Sequence, residues 1–163
     1  MFIEISNLCK SYKTECIETI ALKDANISLN KGEIGVILGP SGSGKSTLMN
    51  ILGGLDSADS GKVIVDNIDI TKLSDDELVE YRREKTDFIF QSYNLMPHLT
   101  VLENIEIIQN ISKSPLDINE VLEAVGLADK KNRFPRELSG GQQQCVAVAR
   151  AVIKIQRYYF VMN

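Results

Sequence analysis

Ile3 and Ile5, and later Ala25, Ile27 and Leu29, stand between polar neighbours, the two-residue period of a half-exposed antiparallel sheet. Asn30-Lys31-Gly32-Glu33 has the residues of a turn. Alternation then stops. Ile34-Gly35-Val36-Ile37-Leu38 is apolar throughout, which predicts a strand buried on both faces of a parallel sheet at the centre of the fold. Val63-Ile64-Val65, Asp66-Asn67 and Ile68-Asp69-Ile70 read as a hairpin, because short aspartate and asparagine residues tolerate the positive φ of a tight turn. Further on the pattern is mostly helical. Ser74 with Glu77, Thr100 with Glu103, and Ser139 with Gln142 each place a hydroxyl three residues before an acid or amide, the reciprocal cap that starts a helix. Gly126 fits a helix stop. No internal repeat, low-complexity tract or linker interrupts the pattern, so it predicts one mixed α/β unit.

Composition narrows the partners more than the fold. With 44% hydrophobic and 25% charged residues, the 163 residues suit a soluble domain with a real core. A net charge of -4, without a basic run interleaved with aromatics, argues against nucleic acid as a partner. Cys9, Cys16 and Cys145 form no C-x-x-C pair and read as reduced thiols, neither a disulfide frame nor a zinc site. The start MFIEISNLCK has no charged leader before an apolar stretch, and no run of about 18 apolar residues occurs. A chain that is neither exported nor membrane-spanning is expected.

The chemistry is concentrated after the apolar run. Gly39-Pro40-Ser41-Gly42-Ser43-Gly44-Lys45-Ser46-Thr47 matches G-x-x-x-x-G-K-[ST], between the predicted strand and a helix. Glycines let backbone N–H groups turn toward phosphate oxygens, and the positive end of the following helix faces the same anion. Lys45 is expected to reach the β- and γ-phosphates, and Ser46 to place its hydroxyl on Mg²⁺. The bland alternative is a glycine-rich turn before a helix. A second anion site is legible in Leu138-Ser139-Gly140-Gly141-Gln142, a capped helix start with two glycines and unpaired N–H groups; its alternative is an ordinary helix cap. An N-K-x-D base reader, which a GTPase would want, is absent from the sequence.

The phosphate loop followed by Leu138-Ser139-Gly140-Gly141-Gln142 resembles the ATP-binding cassette (ABC) ATPases. The resemblance implies a P-loop NTPase core with a parallel sheet, an N-terminal antiparallel β subdomain and a helical signature subdomain, roughly residues 92–150. It implies ATP and Mg²⁺ as cofactors. It also implies a head-to-tail dimer in which Ser139, Gly140, Gly141 and Gln142 of one subunit close over the ATP on the other's phosphate loop. Tyr12 matches the family's adenine-stacking aromatic, unless it is a core tyrosine at a strand end; Gln91 matches the glutamine that senses Mg²⁺ and the attacking water, unless it is a plain strand-end amide. The stretch from Gln91 to Asn104, with Gly53-Gly54-Leu55-Asp56, looks most like the subgroup serving macrolide, lipoprotein-releasing and antimicrobial-peptide exporters. That implies a membrane permease partner and a cytoplasmic place on the inner face of the cell membrane, through the permease. His98 lies too close to Gln91 to be the family's switch histidine and reads as a surface loop residue.

The chain departs from the family near its end. Hydrolysis needs a carboxylate to hold Mg²⁺ or its water and another to orient the attacking water. In the family these are an adjacent Asp and Glu after a hydrophobic strand. Laid on without a gap, that strand falls on Tyr158-Tyr159-Phe160-Val161 and the acids on Met162 and Asn163, so the C-terminal part of the cassette reads as missing. Lys154 to Asn163, back-translated with chosen codons and read two bases later, gives Asn-Pro-Lys-Ile-Leu-Phe-Cys-Asp-Glu, which suggests a frameshift near residue 153. The expectation is an ATP-binding subunit, residues 1–163, that binds nucleotide but is defective in hydrolysis. A non-functional frameshifted remnant is the alternative. Cys145 takes a usual arginine position and Asn67 a usual glycine position, the second tolerable because asparagine visits positive φ.

Overall fold

Ile3, Ile5 and Leu8 turn inward from β1 (Ile3–Lys13) while their neighbours face out, so the strand buries one face only. The computed structural model describes residues 1–14, 17–90, 92–154 and 158–161; Cys16, Gln91, Met162 and Asn163 lie outside them. The chain divides into two compact units, Met1–Arg82 and Arg83–Asn163.

In the first unit β1 pairs antiparallel with β2 (Glu18–Leu29) and with β3 (Ser60–Val65), and β3 pairs with the short β4 (Ile68–Asp69), giving the order β2-β1-β3-β4. The antiparallel pairing is the one the alternation predicts, and its register sets Ile3 against Leu29 and Ile5 against Ile27. Asp66 and Asn67 turn the β3–β4 hairpin with φ of 48° and 65°, the positive pair a two-residue turn demands. Ile70 does not extend β4 but begins a 3-10 turn (Ile70–Lys72), because the Asp69 carboxylate accepts from the Thr71 N–H and caps it. The Asn30–Glu33 turn closes with the Glu33 N–H on the Asn30 carbonyl at 3.3 Å. Helix α1 (Lys45–Leu52) and most of α2 (Asp75–Glu84) complete the unit, α2 starting at Ser74, whose N–H and hydroxyl both donate to Glu77. The Tyr81 hydroxyl donates to the Leu52 carbonyl at 2.8 Å and ties α2 to the end of α1.

The apolar run Ile34 to Leu38 corrects the expectation of a central buried strand. It forms no strand, and its side chains face water: Ile34 is 92% exposed and Leu38 86%. A run of this composition becomes a buried strand only where neighbouring strands supply ladder partners on both edges, and among the described residues none pairs with it.

In the second unit β5 (Thr86–Ile89) and β6 (Tyr158–Val161) pair in parallel, Phe88 beside Phe160 with ring centroids 5.3 Å apart. The hydrophobic strand expected at 158–161 is therefore present. Helices α3 (Val101–Ile111), α4 (Ile118–Ala124) and α5 (Gly140–Val152) enclose a core that includes Val101, Ile105, Leu122, Leu127, Val146 and Ile153. Thr100 and Glu103 form the predicted capping box on α3, and Gly126, at φ 70°, ends α4 where only a residue free of Cβ strain sits easily. His98 is exposed in the turn before α3, as the sequence reading has it.

Candidate nucleotide site

The phosphate loop occupies the first unit. Gly44 stands at φ 84° and ψ 3°, and α1 begins at the next residue without any side-chain cap, so the first N–H groups of the helix point out of its end. A Cβ on Gly44 would lie 2.3 Å from the Ala21 carbonyl oxygen, so the close packing of loop on β2 requires glycine there. Gly39 is less confined, because a Cβ there would meet the Ser43 hydroxyl, which can rotate away. Lys45 curls back over the loop, its ammonium donating to the carbonyls of Gly39 and Pro40, each at 2.7 Å. Pro40, Ser41, Gly42, Ser43 and Ser46 are exposed around it, and Thr47 is half-buried. Exposed N–H groups at a helix start beside one ammonium make a cradle for a polyanion, and the Ser46 hydroxyl stands one residue on, where a phosphate-bound Mg²⁺ would find a ligand. The residues present fit a magnesium-bound triphosphate.

Tyr12 is joined to the same helix. It is 42% exposed, so it is not a core tyrosine; its hydroxyl donates to Asp56 at 2.6 Å, and its oxygen lies 3.4 Å from the Thr47 hydroxyl. The Lys10 ammonium lies 5.2 Å from the ring centroid and donates to Asp56 at 2.9 Å and to the Ser57 carbonyl at 2.7 Å. Hydrogen bonding to the Asp56 carboxylate pushes the Tyr12 phenol pKa up. Burial works against ionisation of Asp56, but the Tyr12 and Lys10 donors outweigh it and hold the carboxyl below its ordinary range. Lys10 and Asp56 were legible only in part. The spacing of Lys10 and Tyr12 puts both on one face of β1, whereas the Asp56 partner is 44 residues beyond Tyr12.

The signature residues occupy the second unit. Ser139 caps α5, its hydroxyl accepting from the Gln142 N–H at 3.3 Å, while the Ser139 N–H donates to the Gln142 side chain at 2.9 Å. Gly140 and Gly141 are exposed, and a Cβ on Gly141 would meet open space. Gln142 thus spends its amide oxygen on the cap, and the N–H groups of the two glycines head the helix. Gln91 falls outside the described residues. Beyond it, Tyr93 and Asn94 adopt positive φ, and Arg150 of α5 donates to both their carbonyls, at 3.0 and 2.6 Å. Sequence reasoning missed this guanidinium clamp, whose partners are backbone atoms. Cys145 packs half-buried against the helical core, a position an apolar thiol fills without a partner. Among the described residues, no group of three or more His, Cys, Asp or Glu side chains is placed to hold a metal ion.

The family model for the ABC transporter matches residues 22–161. The chain is 45% identical over 161 residues to the uncharacterized ABC transporter ATP-binding protein YvrO of Bacillus subtilis, covering 96% of this chain and 70% of the relative. It is 47% identical over 156 residues to the ABC transporter ATP-binding protein MG065 of Mycoplasma genitalium, of which it spans only about a third of the length. Among solved structures it is similar to the cassette MJ0796, described as a dimer in a post-hydrolysis state bound to ADP and Pi, with TM-score 0.87, 40% identity and coverage of 98% of this chain and 72% of that one. Phosphate loop, capped signature helix, antiparallel and parallel sheets and these likenesses agree: the chain belongs to the ABC transporter ATP-binding proteins.

Proposed function

We propose that this chain binds magnesium-ATP on the phosphate loop of residues 39–47, with Tyr12 against the adenine, as the ATP-binding subunit of an exporter. The observation that carries the reading is the loop itself: an uncapped helix start behind left-handed Gly44, with the Lys45 ammonium folded over it. Ser46 and Gln91 serve the magnesium ion. Ser139, Gly140, Gly141 and Gln142 close over the nucleotide of a second subunit in a head-to-tail dimer; the described dimeric state of the MJ0796 cassette supports this. Resemblance of residues 91–104 to exporters of peptides, lipoproteins and drug-like molecules supports a permease partner and a peripheral place on the cytoplasmic face of the membrane. Among the described residues, no helix is long and apolar enough to cross a membrane.

Grip and turnover are separable here. The positions that follow β6 are Met162 and Asn163, neither of which offers a carboxylate side chain to magnesium or water. The 163-residue chain therefore holds ATP without steady turnover. Equilibrium binding of ATP to the parent chain and to Lys45→Ala tests the grip: binding by the parent that the variant loses is expected, and equal binding by both overturns it.

The exposed run Ile34 to Leu38 favours a second reading, a frameshifted remnant that folds poorly and has no activity. Its test is the gene's nucleotide sequence, which must carry Asp-Glu out of frame beyond residue 153. A monodisperse, cooperatively melting preparation counts against it.

A further inference from the structure

The Tyr12 ring does not stand alone on its strand. Four consecutive residues of β1, Cys9 to Tyr12, are stitched to the loop at 56–59: the Asp59 N–H donates to the Cys9 carbonyl at 3.0 Å, and the Ser11 N–H and hydroxyl donate to Asp59 at 2.6 and 2.8 Å. Asp56 is the branch point. One oxygen accepts from the Tyr12 hydroxyl at 2.6 Å, and the other accepts from Lys10 at 2.9 Å and from the Ser57 N–H at 2.7 Å. Lys10 is only 8% exposed, and Asp56 together with the Ser57 carbonyl holds its ammonium over the ring. The phenol reaches the phosphate helix as well, through Thr47.

We propose that Asp56 is a positioning residue for the nucleotide base: it fixes the Tyr12 ring through the phenol at its tip and through Lys10 over one face, leaving the opposite face for an adenine. This rests on the reading that ATP occupies the phosphate loop, and deepens it by assigning the base side of the site. A ring already held in its binding orientation loses little freedom when a base stacks on it, so the anchor acts on base affinity and leaves phosphate affinity alone. A mere strut between β1 and the 53–59 loop would disturb loop and helix together, and both affinities with them.

The experiment compares the whole 163-residue chain with Asp56→Ala, Asp56→Asn and Tyr12→Phe for binding of magnesium-ATP and of inorganic tripolyphosphate, which has no base, by titration calorimetry. Expected is roughly tenfold weaker ATP binding for Asp56→Ala and Tyr12→Phe, tripolyphosphate binding within about twofold of the parent, and no further loss on combining the two changes. Asp56→Asn keeps an acceptor for the phenol and recovers part of the ATP affinity. Titration of the ¹³Cζ-labelled Tyr12 phenol adds a readout free of nucleotide: Asp56→Asn should bring its pKa down toward the ordinary tyrosine value. Equal weakening for both ligands, or ATP affinity untouched in a folded Asp56→Asn chain, overturns the proposal. A parent chain that binds tripolyphosphate but gains nothing from the base sinks the proposal and spares the phosphate reading; a parent that binds neither sinks both.

Discussion

Asn104 offers the sharpest test of how the second unit is held. Its side chain is 2% exposed in α3, and its amide is fully used: Oδ1 accepts from the Met96 N–H at 2.8 Å, and Nδ2 faces the carbonyls of Met96, Leu99 and Thr100 at 3.1, 3.0 and 2.9 Å. One side chain thus fixes the bend that leads from the Gln91 region into the helix. Truncation to alanine strands the Met96 N–H and the Leu99 carbonyl, each costing about 1–3 kcal/mol when buried, less where water enters. The Thr100 carbonyl keeps the helical N–H of Asn104 at 2.9 Å, so the total should be about 2–4 kcal/mol. Asn104→Asp is nearly isosteric, yet it exchanges a donor for an oxygen facing three carbonyls and adds a buried charge, so about 3–5 kcal/mol is expected. Urea melts followed by circular dichroism measure both. On lowering the pH toward about 4 the aspartate regains a proton to donate, so its deficit should shrink while that of the alanine variant does not. An Asn104→Asp chain as stable as the parent at neutral pH would show that the buried amide donor does not hold this bend.

Three further outcomes are expected. Ser139→Ala removes the cap acceptor for the Gln142 N–H and should cost about 1 kcal/mol in a thermal melt. Gly44→Ala forces a side chain onto φ 84° and into the Ala21 carbonyl, so calorimetry should find ATP binding lost even where the chain still folds. Hydrogen bonds from the Thr100 N–H and hydroxyl hold the Glu103 carboxyl below its ordinary pKa, so its stabilisation is present above about pH 4 and is lost as pH falls through the lowered folded value. Glu103→Gln keeps an acceptor but cannot titrate, and its melting temperature should therefore fall less than the parent's between pH 6 and pH 3.

The features legible in the sequence are those whose cause is local. Thr100-x-x-Glu103 and Ser139-x-x-Gln142 are capping boxes because hydroxyl and N3 side chain reach each other within one turn, whatever lies beyond. Asp66-Asn67 and Gly126 are readable for the same reason, since positive φ is a property of single residues. The phosphate loop is legible because its glycines answer to the loop's own geometry and to one neighbouring carbonyl. Ile34 to Leu38 shows the limit: composition says what a segment would bury, but only distant strands decide whether it does. Asp56 at the Tyr12 hydroxyl and Arg150 on the Tyr93 and Asn94 carbonyls bridge 44 and more than 50 residues, and no local pattern announces such a pair. Cys145 reads as a departure in the sequence and sits against the core as a small apolar group, which accounts for its tolerance in place of a charged residue.

In the proposed reading, backbone amides and the Lys45 ammonium grip a triphosphate, while Met162 and Asn163, the residues after β6, offer the attacking water no side-chain carboxylate. Phosphate release from γ-³²P-labelled ATP, followed over many turnovers with the purified 163-residue chain and with Lys45→Ala as the background, separates grip from turnover. The parent should bind ATP and release phosphate no faster than the variant. Sustained release by the parent alone, at several turnovers per chain, would overturn this reading.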